Sequence, residues 1–245
     1  MSAIGRTFLR LAACAALRNR TMAGERVYDS RISAIDPVTA FPNIDEISGS
    51  IGVYTEQDSG DALSKNNGGP PFRSEVELIF EIAMQARVAL ENGDWAIARP
   101  ETDDQLEATL DLIESQVELA IFRHQTPVAV AFRKMAKQVS AKTSIRFTDP
   151  AGSSKLAMRY VTYKVEIHDP EIDIYNQTKS GLYRLPDEWF VVAQSLPEGS
   201  RERDMAEAIA TTLITDPLPA LLAVDATVKP AVTSLPVNQT WNLPQ

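Results

Sequence analysis

His168, Asp169 and Glu171 crowd around Pro170, and an imidazole beside two carboxylates is a donor set that can hold a divalent ion. They follow an apolar run that ends at Ile167, so the arrangement reads as a solvated loop cluster after a strand. Asp103-Asp104 is the other compact acidic pair, and it opens a helical pattern, where anions complement the macrodipole. Neither group forms the convergent carboxylate pattern that a metal-dependent hydrolase or nuclease needs. His124 closes the same helical pattern beside Arg123, where positive charge suits a helix C-terminus. With one cysteine, Cys14, and two histidines, a Cys/His zinc site has too few ligands. No phosphate-binding G-x-x-x-x-G-K, dinucleotide-binding G-x-G-x-x-G, zinc-binding H-E-x-x-H or nucleophile-elbow G-x-S-x-G occurs. The expectation is therefore a non-catalytic chain with no catalytic residue, no cofactor and no metal.

The side chains left to carry function are those suited to docking. Trp241 stands in a polar segment punctuated by Pro217, Pro219, Pro230, Pro236 and Pro244, as an aromatic anchor for a partner's groove would. Trp95 and Trp189 sit in more apolar surroundings and read as packing residues. The stretch from Gln57 to Pro71 holds three glycines and two prolines among polar side chains, far longer than an ordinary connection. It reads as an insertion loop.

These segments need a scaffold, and the 245 residues supply one: 44% are apolar, enough to bury a core without disulfides. A net charge of -9, from 33 acidic and 24 basic residues, argues against general nucleic-acid binding. It suits a soluble surface, or one past which a polyanion slides without sticking. No run approaches the ~18 apolar residues of a membrane helix. Leu11-Ala12-Ala13-Cys14 has lipobox composition, but the apolar stretch between Arg6 and Arg10 is too short for a signal-peptide core. Ile4, Phe8, Leu11, Ala12 and Ala15 instead recur at helical spacing and predict an amphipathic helix to Leu17.

Beyond Gly24, Val27 to Ile35 reads as extended, and Ser50 to Thr55 as a short strand. Val76, Leu78, Phe80, Ile82 and Met84 then alternate with polar residues, giving a strand from Phe72 to Gln85 with one buried face. Thr102 and Gln105 form a capping box ahead of a helix with the stripe Leu106, Leu110, Ile113, Val117 and Ile121. Thr126 and Pro127 start another, with Val128, Phe132, Met135 and Val139 inward. Strands follow at Thr143–Thr148 and Leu156–Ile167, joined through the turn residues Asp149-Pro150-Ala151-Gly152. The second is apolar on both faces, as a central strand is. Helices at Pro186–Leu196 and Arg201–Ile214 precede the proline-rich tail. The fold class expected is α+β: a mixed or antiparallel sheet packed by two to three helices, with a long insertion loop and an extended C-terminal arm. It divides into an α+β domain over 1–170, a helical extension over 171–216 and a Pro-punctuated arm over 217–245.

The order of these elements, with the Thr21–Val27 segment leading to Ser30-Arg31 and the strand Ile51-Gly52-Val53-Tyr54, resembles the tail terminator proteins of long-tailed bacteriophages and related gene-transfer particles. The resemblance covers about Ile4 to Ile167. It implies a structural virion protein, assembled in the host cytoplasm and placed in the tail neck. Such a protein forms a homohexameric ring that caps the tail tube and stops its polymerisation. The ring then meets the head-completion or connector protein and leaves a lumen for genomic DNA, which it does not bind specifically. No membrane is involved. The resemblance further implies that the loop residues Gln57, Asp61, Lys65, Asn67 and Pro71 order against the tube or a neighbour. Phe72, Glu75 and Glu77, on a strand expected at the sheet edge, would lie near a subunit junction, and acidic side chains would line the lumen. Another head–tail joining protein, a stopper or adaptor, is the alternative within the class, and a small metal-dependent hydrolase the one outside it.

Overall fold

The alternating run after Phe72 becomes the spine of the sheet. The computed structural model describes residues 2–30, 48–62, 72–89, 95–98, 103–148, 157–167 and 179–212. Among them, helices α1 (Ser2–Leu17), α2 (Asp103–Glu118), α3 (Pro127–Met135), α4 (Asp187–Ser195) and α5 (Arg201–Thr212) accompany six strands. The strands are β1 (Val27–Asp29), β2 (Ser48–Ala62), β3 (Phe72–Ala89), β4 (Trp95–Ala98), β5 (Ala136–Thr148) and β6 (Ala157–Ile167). The sheet order is β1-β2-β3-β6-β5, with β4 paired to the end of β3. β1 runs parallel to β2, and every other pairing is antiparallel. The fold is α+β with a mixed sheet, as the sequence implies.

Helices cover one face. Val76, Leu78, Phe80 and Ile82 of β3 point into them, flanked in register by Ile51 and Val53 of β2 and Val161, Tyr163 and Val165 of β6. α1 lies against this face and is buried nearly all round: Phe8, Leu9, Leu11, Ala12, Ala13, Cys14, Ala16 and Leu17 have no exposed surface. A helix apolar on every side belongs inside a core, so the expected one-sided amphipathic helix is the central one. Its second cover is α3 and α4. Trp189 of α4 is fully buried and stacks on Phe8 at 4.6 Å and 6°. Leu182, Leu185, Val192, Leu196, Ala206 and Ala210 join the same core, so the described part of the 171–216 extension shares one hydrophobic interior with the sheet domain.

Several expectations change. β3 is interior, hydrogen-bonded to β2 on one side and β6 on the other, so it is not the edge strand. Alternation reveals which face is buried; it carries no information about neighbours in the hydrogen-bonding direction. The insertion loop is shorter than expected, because Gln57–Ala62 continues β2 as a ladder against Phe72–Val76. α3 ends at Met135 and the chain enters β5 directly, so Val139 lies on a strand and is 38% exposed. α3 is capped as expected: Thr126 Oγ1 accepts from the Ala129 N–H, with Pro127 in the first turn. α2 is followed by a π-helical turn, Leu119–Arg123, whose widened ring is closed by the His124 N–H to the Leu119 carbonyl at 2.9 Å. The arm over 217–245, the turn 149–152, Thr102 of the capping box, and residues 31–35 and 168–171 lie outside the described residues.

Candidate interaction surface

α2 reaches the sheet through two stripes. Leu110, Ile113 and Val117 enter the core, while Glu107, Asp111, Glu114 and Glu118 follow at helical spacing and meet cations of β5 and β6. Arg159 is the hub: Nη2 donates to Glu107 at 2.8 Å, and Nη1 donates to Glu114 at 3.1 Å and to Asp111. Lys142 bridges Glu114 and Glu118, Arg146 pairs with Glu107 at 2.8 Å, and Ser144 donates to Glu114 at 2.9 Å. Burial pushes the Glu114 carboxyl up, but the hydrogen bonds from Lys142, Ser144 and Arg159 together hold it below the ordinary carboxylate value. Tyr163 donates to Glu118, and burial beside that carboxylate raises its phenol. This network seats α2 on the sheet.

The opposite sheet face bears no described helix. Its rows run across the strands in register, and one of them holds Gly52, Glu81, Tyr160 and Ile145. Tyr54 lies over Gly52, where an added Cβ would stand 2.8 Å from its hydroxyl, and it shares a hydrogen bond with Glu81. Burial raises the Glu81 carboxyl, and that bond only partly offsets the shift. Tyr160 in turn meets Phe147 edge to face at 6.4 Å. Ile145 and Phe147 are 59% and 48% exposed, so an apolar and aromatic corner faces outward beside β5. Toward the other end of this face the row turns charged, with Glu77 paired to Lys164 and Glu166 held by Arg73 and Lys137. The hydrogen bond from Lys137, together with Arg73, keeps Glu166 below its ordinary value despite its burial.

Of the residues singled out for an interface, Gln57 occupies a β-bulge of β2 with φ of 35°. Asp61 pairs in register with Arg73 and is exposed. Phe72 opens β3 opposite Ala62; Glu75 accepts from Ser140 Oγ at 3.0 Å. Glu75 and Glu77 thus lie on the open face of an interior strand rather than at an edge. Lys65, Asn67, Pro71 and Trp241 lie outside the described residues. His124 is exposed, and the carbonyls ending its helix are met by Arg133, which donates to Ile121 at 3.1 Å and His124 at 2.8 Å.

The edges of the described sheet are β5 and the far part of β2. β5 pairs with β6 along one side, and Lys137 through Phe147 are all exposed. On the other flank, among the described residues, β1 covers β2 from Ile51 to Val53, and Glu56 through Ala62 are exposed at every position. The Lys-Arg-spaced polar strand from Ala136 was the available signal. Among the described residues, no group of His, Cys, Asp and Glu could hold a metal ion, and no helix is long and apolar enough to cross a membrane. No protein-family model matches the chain, and no curated protein matches it significantly.

Proposed function

We propose that this chain is a structural assembly subunit of the phage tail-terminator kind, built to close a ring, most simply a homohexamer, at the end of a tail tube. The ring would stop tube growth, take up the head-completion or connector protein and let DNA pass through an acidic lumen. The observation that carries the reading is the distal part of the β2–β3 hairpin. Glu56–Ala62 holds a five-pair ladder beyond its bulge, from Asp58 to Ala62, although all seven residues are exposed. β6 backs β3 as far as Ser74, so only Asp61 and Ala62 pair beyond the third strand, and Ser59, Gly60 and Asp61 are poor strand formers with an exposed outer edge. Such an edge gains its partner from a neighbour, and a neighbour is what a ring supplies. The open edge of β5 and the outward Ile145–Phe147 corner add further contact surface.

Light scattering on the purified chain, alone and with tail tubes, tests this reading. A hexamer, or a monomer that becomes hexameric on tubes, is expected; a monomer indifferent to tubes would sink it. Particles assembled without the chain should carry overlong or headless tails, and normal tails in such particles would point to another role.

A further inference from the structure

Among the described residues, each margin of the sheet is covered or bulged along one part and open along another. On one margin, β1 covers Ile51–Val53, the Ser30 N–H reaches the Val53 carbonyl, and the ladder resumes past the Gln57 bulge as Asp58–Ala62. On the other, two register breaks, at Ala136/Gln138 and Val139/Ala141, disturb the first part of β5, and an unbroken ladder runs from Ala141 to Thr148. Bulges blunt an edge, and a regular exposed stretch leaves a row of backbone donors and acceptors unpaired. The two margins also differ in sign. Glu56–Ala62 carries Glu56, Asp58 and Asp61, with Asp58 meeting Arg6 of α1 at 3.4 Å, while Ala136–Thr148 carries Lys137, Lys142 and Arg146 with no anion in the strand.

We infer that the Asp58–Ala62 edge of one copy pairs with the Ala141–Thr148 edge of the next, so that the sheet continues from subunit to subunit. This rests on the ring reading above and names its junction. β2 and β5 run in opposite directions within one sheet, so a rotation that preserves strand direction brings them together antiparallel. Face continuity then limits the register. Asp58 shares the helix-side face with Val76, and Arg146 shares it with Arg159; Ser59 and Ile145 both lie on the open face. Setting Arg146 opposite Asp58 therefore sets Ile145 opposite Ser59, Ser144 opposite Gly60 and Thr143 opposite Asp61. Arg146 remains 44% exposed while paired to Glu107, so its guanidinium has donors left for a second carboxylate.

The test is disulfide trapping of the full chain carrying both Ser59→Cys and Ile145→Cys, residues that face each other across strands and fall within bridging distance in this register. Cys14 is fully buried and stays out of the exchange. Mild oxidation should shift the double variant from monomer to a ladder of covalent multimers that ends at the ring size, while each single variant gives no ladder. Light scattering before oxidation separates the two failures. An oligomer that forms without any cross-link would overturn edge pairing and leave the ring intact; a chain that stays monomeric with and without tubes would overturn both.

Discussion

Replacing Arg159 with Met asks whether α2 is held on the sheet by ions or by its apolar stripe. The Arg159 side chain is only 12% exposed and contacts Glu107, Asp111 and Glu114, whose side chains are 31%, 67% and 12% exposed. Breaking a buried pair costs about 3–5 kcal/mol because a charge is left without a partner. An exposed pair is worth about 0.2–1 kcal/mol. Glu114 keeps Lys142 and Ser144, and Asp111 is close to solvent, so the expected loss lies between these limits, at about 2–3 kcal/mol. Arg159→Lys retains the charge but loses the forked geometry and should cost less. Urea unfolding followed by circular dichroism reads the change as a shift of midpoint at constant slope. Arg73→Met is the control: its side chain is 58% exposed and Glu166 keeps Lys137, so the loss should stay below about 1 kcal/mol. A double-mutant cycle with Glu114→Gln should show coupling, since the two groups touch. If Arg159→Met unfolds within about 0.5 kcal/mol of the parent, the ion network is ornamental and Leu110, Ile113 and Val117 seat the helix alone.

Glu81→Gln should stabilise the chain near pH 7. The folded carboxyl has a raised pKa, so its stability contribution is complete below the ordinary value of 4.5 and is lost as pH rises through the folded value. The advantage of the variant in urea midpoint should therefore shrink on acidification, and an advantage that persists below pH 4.5 would refute the burial argument. Trp189→Ala should cost about 3–5 kcal/mol, the usual range for deleting a fully buried indole. A chain ended at residue 170 should fail to give a cooperative thermal transition, because it strips α1 of its cover from α4; a sharp transition would mean that the helical extension is dispensable.

The parts of this fold legible in the sequence are those where one strong local rule acts. The period of two from Val76 to Met84, the Thr126-Pro127 start of α3 and the stripe through Leu110, Ile113 and Val117 all survive in the structure. Propensity misled where tertiary pairing prevailed: Asp58, Ser59, Gly60 and Asp61 have loop composition, yet β3 holds them as a strand. Charge concealed function in a similar way. Glu107, Asp111, Glu114 and Glu118 have no assigned partner in the sequence, and Lys142, Arg146 and Arg159 reach them from β5 and β6. Partners more than twenty residues away leave no periodic trace, so the edge position of β2 was equally invisible, and that of β5 showed only in its polar, cation-spaced composition. Only pairing determines which strand is last.

The charge difference between the two margins also constrains the kind of assembly. If two copies met symmetrically through β5, the two-fold axis would bring Lys142 and Arg146 of one copy toward the same cations of the other. Like charges opposite one another across strands are destabilising. A symmetric contact through Glu56–Ala62 would oppose Glu56, Asp58 and Asp61 in the same way. The contact between unlike margins avoids both penalties, and it is heterologous by construction, so it must either close into a ring or run on as a filament. Right-handed strand twist turns each strand against its neighbour by about 20–25°. A continued sheet therefore does not propagate straight, and closure after a small number of subunits follows more readily than an open fibre. Reversing the sign of one margin alone, by Asp58→Lys with Asp61→Lys, should abolish the closed species without promoting a β5–β5 dimer. A variant that still closes to the parental size would show that charge plays no part in choosing the partner.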